Sequence, residues 1–287
     1  MTTRIIPLGA SNTYGMYGNP SSPGGYRGPL HYMLQGTGAD VDFVGLDRDG
    51  AIADSDHNGH SGKTIEWYTG PVNETIYDPN TGAVSHLVNT NGAPLIDHLL
   101  DRARMTSSDV VLLLVGTNNV IAGDSAETML AKTEVLLERI VNHASSPDVR
   151  LMKLQPVGGD WWEDGDAGRT NNDTIRIFNN GLDQLVSEKF AARGVEVVDS
   201  NATLADLRSD GVHLCEAGYR KTAGAWYDSL EGEFDFLPSR PTLPGSNADP
   251  RRQGWTWTTH EPSSASTRMR CSCRCGGTGR RSPRPSG

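Results

Sequence analysis

Short apolar runs alternate with longer amphipathic stretches along most of this chain. The apolar runs are typical of buried strands and occur at residues 4–9, 41–45, 109–115, 149–155 and 195–199. The run at 109–115 contains six consecutive apolar residues, as expected of a central strand in a parallel sheet. The amphipathic stretches have helical spacing and predict helices at residues 26–34, 93–104, 125–144, 171–193 and 217–234.

Strands that alternate with helices predict a parallel sheet with helices on both of its faces. We therefore expect an α/β protein, a three-layer α/β/α sandwich with a five-stranded parallel sheet, over residues 1–238. Ser125 is the expected N-cap of the long helix that follows it. Residues 71–91 break the alternation, and their pattern predicts a hairpin-like insertion at the surface.

Several residues with potential chemistry follow the predicted strands, and the carboxyl ends of parallel strands meet at one edge of a sheet. A serine becomes a good nucleophile when an imidazole takes its proton and an acid orients that imidazole. Ser11 follows the first strand, so we expect it to be a nucleophile. The pattern Asp-Gly-Val-His puts a carboxylate, Asp210, three residues before the expected general base, His213. Asp199, at the end of the last strand, is the alternative acid.

Composition places limits on the class of protein. The chain has 287 residues, of which 36% are hydrophobic, which suits a globular protein with one large domain or two small ones. No stretch approaches the roughly 20 apolar residues of a membrane helix. The first apolar run is too short for a signal-peptide core, so as written the chain is expected to stay in the cytoplasm. An incomplete N-terminus would make it a secreted protein, and the compartment is left open.

Charge separates the chain into two parts. The net charge is −9, but residues 239–287 carry nine Arg against one Asp and one Glu, which leaves residues 1–238 with a net charge of −16. An acidic body argues against nucleic acid as a partner. The basic tail is rich in Pro, Ser and Gly and is predicted to be disordered. Its three cysteines, at 271, 273 and 275, lack the spacing of a zinc site.

Four motifs follow one another in the order that a known superfamily shows. They are IPLGASNTYG at 6–15, HNGHSGKTI at 57–65, GTNN at 116–119 and DGVH at 210–213. Through these motifs the chain resembles the SGNH hydrolases, the GDSL esterase/lipase superfamily, over about residues 4–230. It is most similar to the carbohydrate esterase family 3 type, which includes acetyl xylan esterases.

This resemblance implies the flavodoxin-like SGNH hydrolase fold and a serine esterase that removes short acyl groups, above all acetyl, from carbohydrates. It implies Ser11, His213 and Asp210 as the catalytic triad. The tetrahedral oxyanion would be stabilised by the amides of Ser11 and Gly62 and by the side-chain amide of Asn118. A glycine at 62 would also leave room for the substrate. No cofactor is expected, because this chemistry needs none.

Four positions depart from the pattern of the superfamily. Ala10 stands where an Asp usually precedes the nucleophile, and the residues after His213 are Leu214 and Cys215 instead of Pro and Asn. Asn119 replaces the commoner Asp. The expected consequence of Ala10 is a change in efficiency more than in mechanism.

Two further pairs of residues each allow two interpretations. Trp161 and Trp162 either form a platform on which a sugar stacks or anchor their loop as buried side chains. His57 and His60 suggest a metal, but no carboxylate stands at ligand spacing. We therefore expect a turn that lines the oxyanion region, and no metal.

The expected substrate is an acylated carbohydrate or another small ester, with neither nucleic acid nor a membrane as a partner. One alternative is a general arylesterase or lipase of the same superfamily. Another is a catalytically inactive carbohydrate-binding homologue, which only the alanine beside Ser11 favours. The oligomeric state is left open.

Overall fold

The computed structural model describes residues 2–16, 24–50, 52–78, 82, 84–158 and 171–231. The strands in these ranges are β1 (Thr3–Gly9), β2 (Val41–Phe43), β3 (Asp47–Arg48), β4 (Asp56–Gly59), β5 (Pro71–Tyr77), β6 (Val84–Pro94), β7 (Val110–Leu114), β8 (Asp148–Met152) and β9 (Val195–Val198). The helices are α1 (Ser11–Tyr14), α2 (Arg27–Thr37), α3 (Ile65–Thr69), α4 (Leu95–Arg102), α5 (Thr117–Ile121), α6 (Ala126–Asn142), α7 (Asn171–Lys189) and α8 (Glu216–Leu230).

Seven of the described strands form one sheet, in the order β3-β4-β1-β7-β8-β9, and β2 also pairs with β1. All of these pairs are parallel except that between β3 and β4. The predicted α/β class with a largely parallel sheet is confirmed. The expected count of five strands is too low, because β3 and β4 also join the sheet. Strand β4 has the polar sequence Asp-His-Asn-Gly, which contains no apolar run to reveal it.

The core lies on both faces of the sheet. Strand β7 stands between β1 and β8, and every one of its residues is buried. This double coverage explains its uninterrupted apolar sequence. The helices fall into two contacting groups: α2 packs against α8, while α6 packs against α3, α4 and α7.

Local signals in the sequence set the ends of helix α6. The side chain of Ser125 accepts a hydrogen bond from the amide of Thr128 at 3.2 Å, so the predicted N-cap is confirmed. The buried residues of the helix recur at helical spacing and face the sheet: Met129, Thr133, Leu136, Leu137 and Ile140. The helix ends at Asn142, two residues before the predicted end.

The insertion predicted at residues 71–91 is an antiparallel hairpin of β5 and β6, separate from the main sheet. Alternate residues of the hairpin are buried against the body, including Val72, Ile76 and Val88. The opposite face leaves Tyr77 and Leu87 exposed. The hairpin therefore has one apolar face on the core and one face in solvent.

The tail at 239–287 and the pair Trp161–Trp162 lie outside the described residues. None of the helices in the described ranges is both long and apolar enough to cross a membrane.

Candidate active site

Three strands end side by side at the centre of the sheet. The last residue of β1, Gly9, pairs with Gly59 of β4 on one side and with Leu114 of β7 on the other. Since these pairs are parallel, the segments that follow them leave the sheet at the same edge. Ser11, Gly62 and Asn118 each stand two to four residues beyond those strand ends. The topology therefore brings these three predicted site residues to one edge.

The turn that carries Ser11 is held against strand β7. The amide of Ala10 donates to the carbonyl oxygen of Leu114 at 3.3 Å, and Ser11 then begins helix α1. A Cβ on Gly9 would overlap the same Leu114 carbonyl, so only glycine allows the strands to approach this closely. Ser11 itself is 8% exposed. Backbone contacts between the end of β1 and the end of β7 thus set the position of Ser11.

Asp210 and His213 are in direct contact. Oδ2 of Asp210 lies 2.9 Å from Nδ1 of His213, while Oδ1 accepts hydrogen bonds from the amides of Val212 and His213 at 2.9 Å. Partial burial acts to raise the pKa of Asp210, but these hydrogen bonds outweigh it and hold the pKa below its usual value. Asp210 is therefore an ionised acceptor that can orient the His213 ring.

The alternative acid, Asp199, has a different local role. Its Oδ1 accepts a hydrogen bond from the amide of Asn201 at 2.9 Å, and its side chain is exposed beyond the end of β9. An aspartate in this arrangement stabilises a turn. The geometry favours Asp210 over Asp199 as the partner of His213.

Asn12 connects the nucleophile turn to the loop that carries His213. Its Oδ1 accepts a hydrogen bond from the amide of Leu214 at 3.2 Å, across a separation of 202 residues. The hydroxyl of Tyr219 donates to the carbonyl of Met16 at 2.8 Å and lies 3.4 Å from the same Oδ1. The hydrogen bond between Asn12 and Leu214 thus joins the residues that directly follow Ser11 and His213 in the sequence.

This contact explains one departure from the superfamily pattern. A proline at 214 would have no amide hydrogen to give to Asn12. Leu214 supplies that hydrogen and is also buried, at 1% exposure. Sequence reasoning missed Asn12, because nothing local marks its partner.

Two of the three predicted oxyanion donors, Gly62 and Asn118, lie on neighbouring loops. Gly62 has φ +76°, and a Cβ there would meet open space. The left-handed backbone is thus the local reason for a glycine. Nδ2 of Asn118 donates to the carbonyl of Lys63 at 2.8 Å, which ties the loop after β7 to the loop after β4. The side-chain amide nitrogen of asparagine carries two hydrogens, so Asn118 can donate the second one to a ligand.

Asn119 is a buried junction between three elements. Its Oδ1 accepts the amide hydrogen of Ile65 at 3.0 Å, at the start of α3. Its Nδ2 donates to Glu66 Oε2 and to Asp124 Oδ2, both at 2.8 Å. Lys132 bridges the same two carboxylates, at 2.8 and 2.6 Å. An aspartate could not donate these bonds, which gives a physical reason for asparagine at this position.

His57 and His60 are buried beside the site. Nδ1 of His57 accepts the amide hydrogen of Gly59 at 2.9 Å, and its Nε2 lies 3.2 Å from Asp49. The amide of His60 donates to the carbonyl of Gly9 at 2.7 Å, so its loop is anchored to the end of β1. Within the described ranges, no group of three or more His, Cys, Asp or Glu side chains is arranged to hold a metal ion.

A serine, an Asp–His pair and convergent amide donors at the carboxyl edge of a parallel sheet are the arrangement of a hydrolytic enzyme. The model of the GDSL-like Lipase/Acylhydrolase family matches residues 8–221. The chain therefore belongs to this family and is an esterase or acylhydrolase of the GDSL superfamily. No curated protein matches its sequence.

Solved structures agree with this assignment. A family 3 carbohydrate esterase from Clostridium thermocellum is 25% identical, with a TM-score of 0.61 over 83% of this chain and all of that one. A carbohydrate esterase family 3 protein from Talaromyces cellulolyticus is 20% identical, with a TM-score of 0.58 over 80% of this chain and 97% of that one. The M. smegmatis aryl esterase is 17% identical, with a TM-score of 0.53 over 81% and 100%. The last two likenesses concern the fold alone.

Proposed function

We propose that this chain is a serine esterase that removes short acyl groups, principally acetyl, from carbohydrates through a covalent acyl-enzyme. The observation that carries the proposal is the 2.9 Å contact between Asp210 and His213 on a loop bound to the residue next to Ser11. The acetylated carbohydrate is suggested by the likeness to the family 3 carbohydrate esterase of Clostridium thermocellum. The two sequences are 25% identical, and the alignment covers the whole of that esterase.

In the proposed mechanism, Oγ of Ser11 attacks the ester carbonyl carbon while Nε2 of His213 takes the hydroxyl proton. Asp210 stays ionised, accepts a hydrogen bond from Nδ1–H of His213 and stabilises the imidazolium. The carbonyl oxygen becomes an oxyanion, which the amides of Ser11 and Gly62 and the second Nδ2 hydrogen of Asn118 would stabilise. Loss of one such donor typically costs about 3–4 kcal/mol of barrier.

The tetrahedral intermediate then collapses. The bond to the alcohol oxygen breaks, the alcohol leaves with the proton from His213, and the acyl group stays on Ser11. His213 next takes a proton from water, whose oxygen attacks the acyl carbon. The second collapse releases the carboxylic acid and returns the proton to Ser11.

The decisive experiment compares Ser11→Ala with the wild type on p-nitrophenyl acetate. Without the nucleophile, kcat should fall by about 10⁴-fold or more. The matched control is Ser108→Ala, which removes an exposed hydroxyl before the start of β7, at the opposite edge of the sheet, and should keep activity near that of the wild type. Retained turnover by Ser11→Ala, with an unchanged circular dichroism spectrum, would contradict the triad.

The acyl group is tested separately with p-nitrophenyl esters of increasing chain length. A deacetylase should show its highest kcat/KM on acetate and lose activity as the chain grows. A maximum at long chains would instead favour a lipase of the same superfamily. A protein that binds acetylated sugar but is not labelled at Ser11 by a fluorophosphonate would be the inactive carbohydrate-binding homologue.

A further inference from the structure

A cavity opens between the β5–β6 hairpin and the loop at 59–63, and we call it the hairpin cleft. Its volume is about 350 Å³, at the lower end of the roughly 300–1,000 Å³ typical of small-molecule sites. Tyr77, Asp78 and Ser85 line it from the hairpin, while His60 and Ser61 line it from the loop. The catalytic residues predicted above are not among its walls, so the cleft is a distinct feature.

Two segments of the cleft wall adjoin residues of the candidate active site along the chain. Ser61 precedes Gly62, the predicted oxyanion donor. Tyr14, also in the wall, lies one helical turn after Ser11 in α1. The Tyr14 hydroxyl forms hydrogen bonds with Asp49 and with Asp78, so the hairpin is attached to the helix of the nucleophile. A group that is bonded to the reacting ester could therefore extend into the cleft.

Several charged side chains in the wall contact protein partners. Asp47 contacts His60 and His86 at 3.2 and 2.9 Å. Asp49 is paired with the buried guanidinium of Arg27 at 2.6 Å. Lys63 is paired with Glu74 at 2.7 Å. The carboxylates of Asp47, Asp49 and Asp78 disfavour an anionic ligand in the cleft, and their oxygens keep lone pairs that accept hydrogen bonds from hydroxyl groups.

One nitrogen of a buried histidine ring in the wall makes no hydrogen bond in the described part of the chain. His60 is 2% exposed, and within the described part of the chain its Nε2 makes no hydrogen bond. Burial lowers the pKa of His60 to about 3, so the ring is neutral near pH 7 and has one donor and one acceptor nitrogen. A buried polar atom without a partner is costly, so a hydroxyl of a ligand that reached this nitrogen would bind favourably.

Tyr77 supplies an aromatic surface at the mouth of the cleft. Tyr77 is 57% exposed, so much of its ring is accessible to a ligand. An aromatic ring beside carboxylates that accept hydrogen bonds suits a ligand with apolar C–H faces and many hydroxyls. A sugar ring has both properties, whereas a simple aryl group could not use the polar wall.

We propose that the hairpin cleft binds one uncharged sugar residue of the alcohol part of the ester, with Tyr77 stacked on its C–H face. This inference rests on the proposed esterase function, because that function brings an acylated carbohydrate to the adjacent site. It assigns the discrimination between sugar esters and aryl esters to the hairpin.

The test measures Tyr77→Ala, Tyr77→Phe and Leu87→Ala on acetylated xylo-oligosaccharides and on p-nitrophenyl acetate. Leu87 is the matched control, because it is 66% exposed on the same hairpin but does not line the cleft. Tyr77→Ala should lower kcat/KM on the sugar ester by roughly three- to ten-fold, mostly through KM, and leave p-nitrophenyl acetate unchanged. Tyr77→Phe keeps the ring and should keep most of the activity.

Three results would overturn the proposal: wild-type activity of Tyr77→Ala on the sugar ester, an equal loss on both substrates, or an equal loss in Leu87→Ala. If the wild type hydrolyses neither substrate, the esterase function fails by itself. Calorimetric titration with unacetylated xylotriose then judges the cleft independently of turnover. Weaker binding by Tyr77→Ala than by Leu87→Ala would support it, and absence of binding to the wild type would refute it.

Discussion

Asn119→Asp changes one buried amide into a carboxylate and should strongly destabilise the protein. In the native structure the side chain is fully buried and donates two hydrogen bonds to carboxylates, Glu66 and Asp124. Hydrogen bonds from Lys132 and from Asn119 hold the pKa of Glu66 below its usual value, against an opposing effect of burial. The variant loses both donated bonds and places a third carboxylate beside two, with Lys132 as the cation that bridges them.

The size of the effect follows from these contacts. A hydrogen bond to a charged group contributes about 1.5–3 kcal/mol to stability. Glu66 has a side-chain exposure of 46%, so its bond belongs at the low end. Repulsion between the carboxylates adds to the loss, and protonation of the new carboxyl limits it. We expect the free energy of unfolding to fall by about 3–5 kcal/mol at pH 7.5.

The sign of the pH dependence is specific to this cause. The neighbouring carboxylates raise the pKa of the introduced carboxyl in the folded state above its unfolded value near 3.9. The folded state then binds more protons than the unfolded state, so stability falls as the pH rises above about 4. The deficit of the variant should therefore be smaller at pH 4.5 than at pH 7.5.

Urea unfolding at both pH values, followed by tryptophan fluorescence, measures this difference. The matched control is Asn119→Ala, which removes the same donors without adding a charge. Its deficit should be smaller than that of Asn119→Asp at pH 7.5 and should change little with pH. Stability of Asn119→Asp within about 1 kcal/mol of the wild type at pH 7.5 would refute the reasoning.

Two further predictions concern the acid and a buried histidine. Asp210→Asn should lower kcat by about 10³–10⁴-fold, because an amide no longer selects the required tautomer of His213. Asp199→Asn should keep a kcat near that of the wild type. Kinetics on p-nitrophenyl acetate compare the two variants, and a larger loss in Asp199→Asn would reverse the assignment of the acid. His60 is neutral in the fold, where burial lowers its pKa to about 3, but protonates below about 6.5 when unfolded. Wild-type stability should thus fall as the pH drops from 6.5 towards 3, and His60→Asn should show a shallower fall in urea unfolding at pH 7, 5 and 4. An equal loss of stability with falling pH in His60→Asn and in the wild type would contradict this prediction.

Much of the fold could be predicted because it depends on local patterns. The apolar runs identified β1, β2, β7, β8 and β9, and the helical spacing identified the long helices to within a few residues. Parallel pairing then followed from the alternation of strands and helices. The same reasoning predicted that Ser11, Asn118 and the Asp210–His213 pair would come to one edge, as the structure has them. Their catalytic roles stay predictions.

Polar elements and contacts between distant residues could not be predicted in this way. Strand β4 contains no apolar run, and its place is set by pairing with Gly9 and its neighbour in β1. The bond from Leu214 to Asn12 joins residues 202 apart, and that from Asn119 to Glu66 joins residues 53 apart. No periodicity encodes such pairs. The motifs around these residues nevertheless indicated the family.

The sequence alone thus determined most of the strands and helices, because burial on a sheet or a helix leaves a period of 2 or 3.6 residues in the apolar pattern. Its motifs indicated the family. The partners of Asn12, Asn119 and His60 depend on how the chain folds back on itself. A side-chain hydrogen bond needs two groups within about 3 Å, and only the packed structure brings distant residues that close.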